Sequence, residues 1–91
     1  METVKVYIAG VDDWNRPTFC TIDRKRFYCD VTNLFGYGAS DEEIIEFYKK
    51  NGTANIVYKG RSFDSEPEGD SCCVEIITRE EAKKLRKENR Q

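Results

Sequence analysis

The chain contains no histidine. That absence removes the one side chain whose ordinary pKa lies near neutrality, and with it any Ser-His or Cys-His nucleophile pair built within a single chain. It also removes the nitrogen ligand that completes mixed zinc sites. No apolar run approaches the roughly 20 residues of a membrane span. The start, METVKVYIAG, lacks the basic leader and apolar core of a signal peptide. The expectation is a cytoplasmic chain without membrane contact. There is no internal repeat and no low-complexity tract. With 91 residues, 35% of them charged, one compact domain over 1–91 is expected. A domain of this size buries only about 60–65% of its unfolded surface, so its apolar residues must share one core and a deep substrate cavity would be costly.

Four cysteines are present, Cys20, Cys29, Cys72 and Cys73. Without an export signal they read first as reduced thiols. If PTFCTID and RFYCDV form a hairpin around Asp23 to Arg26, Cys20 stands opposite Cys29 and Ile22 opposite Phe27. Thr18, Cys20 and Ile22 then share a face with Phe27, Cys29 and Val31, which reads as a core face with the thiols acting as small hydrophobes. A disulfide across the hairpin is geometrically open, and a reducing compartment argues against it. Cys72 and Cys73 point to opposite faces of any strand, and the paired short spacings of zinc sites are missing, so no metal and no cofactor are expected.

Two helix starts carry good local chemistry. In SDEEIIEFYKKNG, Ser40 and Glu43 have the capping-box spacing and Asp41 and Glu42 suit the positive end of the helix dipole. Lys49 and Lys50 suit the other end, Gly52 can stop the helix, and Ile44, Ile45, Phe47 and Tyr48 form its apolar stripe. In TREEAKKLRKENRQ, Thr78 and Glu81 repeat the box, but only Ala82 and Leu85 are apolar. This second helix, the charged segment 79–91, is expected to be mostly solvated and to fray at its far end. Alternation and β-branched residues pick out strands near TVKVYIAG, TFCTI, RFYCDV, ANIVYK and CCVEIIT. The fold class is therefore α+β: a curved, mostly antiparallel sheet of about five strands in the order β-β-β-α-β-β-α, with the first helix packed on it.

Charge is unevenly distributed. From Ser62 to Ile77 the chain carries Asp64, Glu66, Glu68, Asp70 and Glu75 with no Lys or Arg, whereas Arg79 to Gln91 carries six basic residues against three acidic ones. The stretch GRSFDSEPEGDS reads as a long acidic loop, either simply solvated or presenting carboxylates spaced to imitate phosphates before a basic groove. In the tail, Lys83, Lys84, Arg86, Lys87 and Arg90 could neutralise phosphates, although Glu80, Glu81 and Glu88 are placed for ordinary helix pairs. The adjacent acids Asp12 with Asp13 and Glu42 with Glu43 are explained by turns and caps and do not suggest catalysis.

The only Trp lies in GVDDWNRPTF. Asp12, Asp13 and Asn15 can close turns through their own backbone, and Pro17 can begin a strand without donating a hydrogen bond. Trp14 then either caps the core with Arg16 stacked on its ring or forms with Arg16 an exposed pair of the kind enriched at interfaces.

VYIAGVDDWNRPTF, followed by RFYCDV and RSFDSEPEGD, resembles a small accessory domain of phages and conjugative elements, the type associated with large polyvalent proteins. The resemblance implies a mobile-element accessory role and no particular reaction. The functional expectation is a non-enzymatic binding protein that docks on a host protein and inhibits a nucleic-acid-binding defence nuclease in the manner of an anti-CRISPR protein. Trp14, Arg16, Asp64, Glu66, Glu68 and Asp70 are its expected contact residues. The alternative expectation is an RNA- or DNA-binding accessory domain that uses Lys83, Lys84, Arg86, Lys87 and Arg90.

Overall fold

The structure, a computed structural model, describes residues 3–36, 38–67 and 73–88. Its elements are β1 (Val4–Val11), β2 (Pro17–Thr21), β3 (Phe27–Asp30), α1 (Asp41–Asn51), β4 (Ile56–Gly60), β5 (Val74–Ile77) and α2 (Arg79–Glu88), the order the sequence predicts. The strands form one sheet in the order β4-β3-β2-β1-β5. The β1–β2, β2–β3 and β3–β4 pairs are antiparallel, and β5 lies parallel to β1 with Val4 opposite Val74 and Tyr7 opposite Ile77. The fold is thus α+β on a mixed, mostly antiparallel sheet.

The sheet is strongly curved. Thr53 Oγ1 donates to the carbonyl of Val74 on β5 at 3.2 Å, and only three residues later Ile56 opens β4 at the opposite edge. Three residues span at most about 11 Å, whereas four interstrand spacings in a flat sheet are about 19 Å. Curving closes that gap around the concave face.

On that face Val6, Ile8, Phe19, Tyr28, Ile56 and Val74 meet Ile44 and Tyr48 of α1. Helix α1 forms as its caps dictate: Ser40 Oγ accepts from Glu43 N at 3.2 Å, and Gly52, with φ of 79°, donates its N–H back to the Tyr48 carbonyl. The Tyr48 ring meets Phe19 edge to face at 5.6 Å. The second face carries Tyr7, Cys20 and Ile77 under Ala82 of α2, with Ile22, Phe27 and Leu85 packed around them. Helix α2 therefore has the thin seam its sequence predicts, and its cap holds, with Glu81 N donating to Thr78 Oγ1 at 3.1 Å. The expected fraying of its far end falls on residues 89–91, outside the described residues.

The β2–β3 register differs from the expected one. Cys20 stands opposite Phe27, and Cys29 opposite Thr18. The reason is a four-residue loop closed by Thr21 N donating to the Arg26 carbonyl and Arg24 N to the Thr21 carbonyl. Asp23 accepts from Thr21 Oγ1 and from Lys25 N, and Arg24 takes the left-handed conformation with φ of 62°. Ile22 is spent on the turn, so the pairing slips by two residues and every side chain keeps its face. Cys20 and Cys29 are buried free thiols, but the larger core lies on the opposite face, through Phe19 and Tyr28. Val31, expected on the core face, lies beyond the end of β3 and is exposed. Cys72 lies outside the described residues, and Cys73 is an exposed thiol.

After β4 the segment 61–67 turns back over the second face. Phe63 lies against Gly10, where an added Cβ would stand in ordinary van der Waals contact with the ring at 3.6 Å, and meets Phe27 at 6.5 Å. Gly60 makes the turn with φ of 136°, and a Cβ there would stand 2.5 Å from Ser65 Cβ. Gly60→Ala is therefore expected to lower the unfolding free energy by about 1–3 kcal/mol, through backbone strain and the clash with Ser65. Urea denaturation followed by circular dichroism checks this, and Gly38→Ala, where nothing lies within 4 Å of the added carbon, serves as the neutral comparison.

Candidate functional site

Two buried carboxylates organise the end of the sheet where β1 passes to β2 and β3 ends. Asp12 closes the β1–β2 loop. Its Oδ1 accepts from the backbone N–H groups of Trp14 and Arg16, both at 2.9 Å. Its Oδ2 accepts from Arg16 Nε and from Lys59 Nζ, both at 2.8 Å. Asn15 N bonds to the Asp12 carbonyl, and Asn15 itself is left-handed with φ of 61°, a conformation that Asn tolerates well. The result is a tight loop whose middle residue points away from the sheet. Trp14 is 69% exposed.

Asp30 does the same for β3. Its Oδ1 accepts from Thr32 N and Asn33 N, and its Oδ2 from Asn33 Nδ2 at 2.9 Å and from Tyr48 Oη at 2.6 Å. Burial, and then the bond to this carboxylate, push the Tyr48 phenol far above its ordinary pKa. The turn ends the strand and throws Val31 and Leu34 outward, at 48% and 60% exposure. Phe35 N then donates to the Asn15 carbonyl at 2.8 Å, tying this connection to the Trp14 loop.

Lys59 completes the arrangement from below. It leaves β4 on the second face, passes over the Phe63 ring at 5.0 Å and reaches Asp12 with its side chain 1% exposed. Burial by itself would raise the Asp12 pKa. The Lys59 ammonium, with the bonds from Arg16 and Trp14, outweighs it and holds the carboxyl at about 2. A cavity of about 190 Å³ opens above this pair, lined by Asp12, Asp13, Trp14, Arg16, Lys59, Asp64 and Glu66. Asp12, Arg16 and Lys59 together carry one net positive charge at its floor, and Asp13, Asp64 and Glu66 place three carboxylates around its rim.

The expected contact residues are therefore partly gathered. Trp14, Asp64 and Glu66 lie around one opening, and Arg16 is beside them. Trp14 does not cap the core, and Arg16 does not stack on it as one reading expects, because Asp12 claims the guanidinium. Glu68 and Asp70 lie outside the described residues, and Glu75 is on β5, opposite Lys5. Of the basic set, Lys83, Lys84 and Lys87 are exposed on α2 and Arg90 lies outside the described residues. Arg86 is docked: its Nε donates to the Ile22 carbonyl at 3.0 Å and its Nη2 to Tyr7 Oη at 3.1 Å. Sequence reasoning missed Val31, Leu34 and Lys59. Val31 read as core because only the Asp30 turn expels it, Leu34 follows the same turn without a local signal, and a lysine inside a strand gives no sign that its partner stands 47 residues away.

Among the described residues, no group of three or more Cys, Asp or Glu side chains is arranged to hold a metal ion. The Cys20 and Cys29 thiols are pushed above their ordinary pKa by burial, which keeps them protonated and poorly nucleophilic. No helix among the described residues is long and apolar enough to cross a membrane. No protein-family model, curated protein or solved structure matches the chain.

The Asp12–Lys59 pair makes a direct prediction. Asp12→Asn leaves the Lys59 ammonium buried without its countercharge and should cost about 3–5 kcal/mol in urea denaturation, with Asp12→Asn/Lys59→Met recovering part of the loss. The pair also sets an acid limb. A carboxyl held at about 2 against an ordinary 3.8 contributes stability that is complete above the unfolded value and fades as pH falls through the folded one. Stability of the wild type should thus drop by ~2 kcal/mol between about pH 4 and pH 2, and that step should be missing in Asp12→Asn.

Proposed function

We propose that the chain is a non-enzymatic binding protein of a phage or related mobile element, which docks on a host protein through the Trp14 end of its sheet. The observation that carries this reading is the placement of the exposed large hydrophobics. Among the described residues these are Trp14, Val31 and Leu34, and the bond between Phe35 and Asn15 draws the loops that bear them to one end. Beside them stands the acidic rim of Asp13, Asp64 and Glu66.

A large rigid aromatic next to an aliphatic pair supplies the apolar area on which a small interface depends. An anionic rim steers it towards a cationic partner and fixes its orientation. The partner chemistry this suits is an apolar pocket bordered by Lys and Arg, as found where a protein grips a nucleic-acid backbone. A docked rim would occupy the place of phosphates, and inhibition of a defence nuclease such as a CRISPR effector follows from that occupancy. The mobile-element setting rests on the resemblance of VYIAGVDDWNRPTF, RFYCDV and RSFDSEPEGD. The buried thiols support the non-enzymatic half of the proposal, since neither is poised as a nucleophile.

The immobilised chain, presented to nuclease-treated bacterial lysate at two salt concentrations, should retain a basic protein that mass spectrometry identifies. Trp14→Ala/Leu34→Ala should weaken capture ~30-fold or more, the loss of a hot spot worth about 2 kcal/mol. Asp64→Lys/Glu66→Lys should abolish capture at low salt; retention equal to that of the wild type would reject the acidic docking face.

A further inference from the structure

We infer that the opposite end of the sheet, at the tip of the β2–β3 hairpin, binds the phosphodiester backbone of single-stranded nucleic acid. Two adjoining hollows lie there. The larger, about 640 Å³, is lined by Arg24, Lys25, Arg26 and Arg61 together with Asp23 and Tyr58. The smaller, about 260 Å³, shares Asp23 and Arg26 and adds Lys5 and Arg86. Among the described residues, six cations border the two, and Asp23 is the one carboxylate that lines either. Asp23 is already engaged inside the turn by Thr21 Oγ1 and Lys25 N.

What positions these cations does not neutralise them. Arg24 Nε and Arg86 Nη2 both donate to the phenol oxygen of Tyr7, at 2.8 and 3.1 Å. An uncharged acceptor fixes two guanidiniums side by side and leaves their charge available. Among the described residues, no carboxylate lies within ion-pair distance of Lys25, Arg26 or Arg61. Arg24 also holds a left-handed backbone, φ of 62°, where Gly or Asn would cost less. An Arg at such a position is an observation from which a functional role can be inferred.

The chemistry of the ligand follows from the shape. Both hollows are open and share Asp23 and Arg26, so cations spread over the two face a repeating anion better than a single phosphate. Arg predominates, and its planar fork matches phosphate oxygens in pairs. Tyr58 places an aromatic ring in the larger hollow, where a base of a single strand can stack without regard to sequence. This face lies away from the Trp14 end, so the inference stands apart from the docking proposal. It also moves any nucleic-acid site from the outer surface of α2, where Lys83, Lys84 and Lys87 project beside Glu80, to the hairpin and its neighbour Arg86.

The test is fluorescence anisotropy of the full chain with labelled oligo-dT and oligo-U of about 20 nucleotides and a duplex of equal length, between about 50 and 200 mM salt. Single strands are expected to bind, with affinity falling ~30-fold over that range, as three or four neutralised phosphates require at a slope of about −0.7 for each. Lys25→Glu/Arg26→Glu/Arg61→Glu, all exposed positions whose folding circular dichroism checks, should weaken binding ~10-fold or more at the lower salt. Lys83→Glu/Lys84→Glu/Lys87→Glu should change it less than about threefold. Trp14→Ala/Leu34→Ala should bind oligonucleotide as the wild type does, which separates this result from the fate of the docking face. No binding at low salt, equal binding by the hairpin variant, tighter binding of duplex, or equal competition by polyglutamate would each overturn the inference.

Discussion

One carboxylate settles the shape of the molecule's more apolar end. Asp12 takes four hydrogen bonds on two oxygens, from two backbone amides, a guanidinium and an ammonium. The amides fix the loop that projects Trp14, and the ammonium of Lys59 draws β4 and the segment behind it under the same loop. A buried ion pair contributes little net stability compared with a well-packed apolar pair, but it penalises every arrangement that leaves one partner alone. Here that penalty links the first hairpin to the fourth strand. Asp30 repeats the device with neutral donors at the end of β3, and the two turns together decide which apolar side chains are withheld from the core.

The consequence for function is a division of the surface by sheet end. A domain this small has two buried sheet faces, one under α1 and the other shared by α2 and the Phe63 segment. What remains for recognition is its ends. At one, loops carry Trp14, Leu34 and acidic side chains; at the other, a hairpin tip and the last turns of α2 carry guanidiniums. The overall charge of −2 hides this polarity, because opposite patches cancel in the sum and not in space.

Much of the fold is legible in the residues themselves. The Ser40 and Thr78 caps, the Gly52 stop and the alternation of β1 each depend on neighbours a few positions away, and each forms as its local chemistry dictates. The cysteines at 20 and 29 also read correctly as buried small hydrophobes. What fails is whatever depends on distant partners or on one turn's bonding. The hairpin register turned on Thr21 and Asp23, whose hydroxyl and carboxylate set the four-residue loop one position earlier, at 22–25 in place of 23–26, a shift that alternation cannot detect. The stacking of Arg16 on Trp14 was plausible from adjacency alone, until the Asp12 carboxylate outbid the ring. That Arg86 is held against Ile22 and Tyr7 could not be read because both lie far from it in the chain. Trp14 and Asp64 could be named from composition, but their convergence required the return of the chain over Gly10.

The parallel pairing of β5 with β1 has a consequence for how the molecule is made. β1 finds β2 within a few residues, and its other edge is covered only once Val74 to Ile77 is in place. Until then, the amide and carbonyl row of Val4 to Tyr7 is an open template for a neighbouring nascent chain. Lys5 sits in the middle of that row and places a charge where a foreign strand would add. The segment from Val74 to Ile77 therefore acts as a seal over an edge that would otherwise be open to self-association.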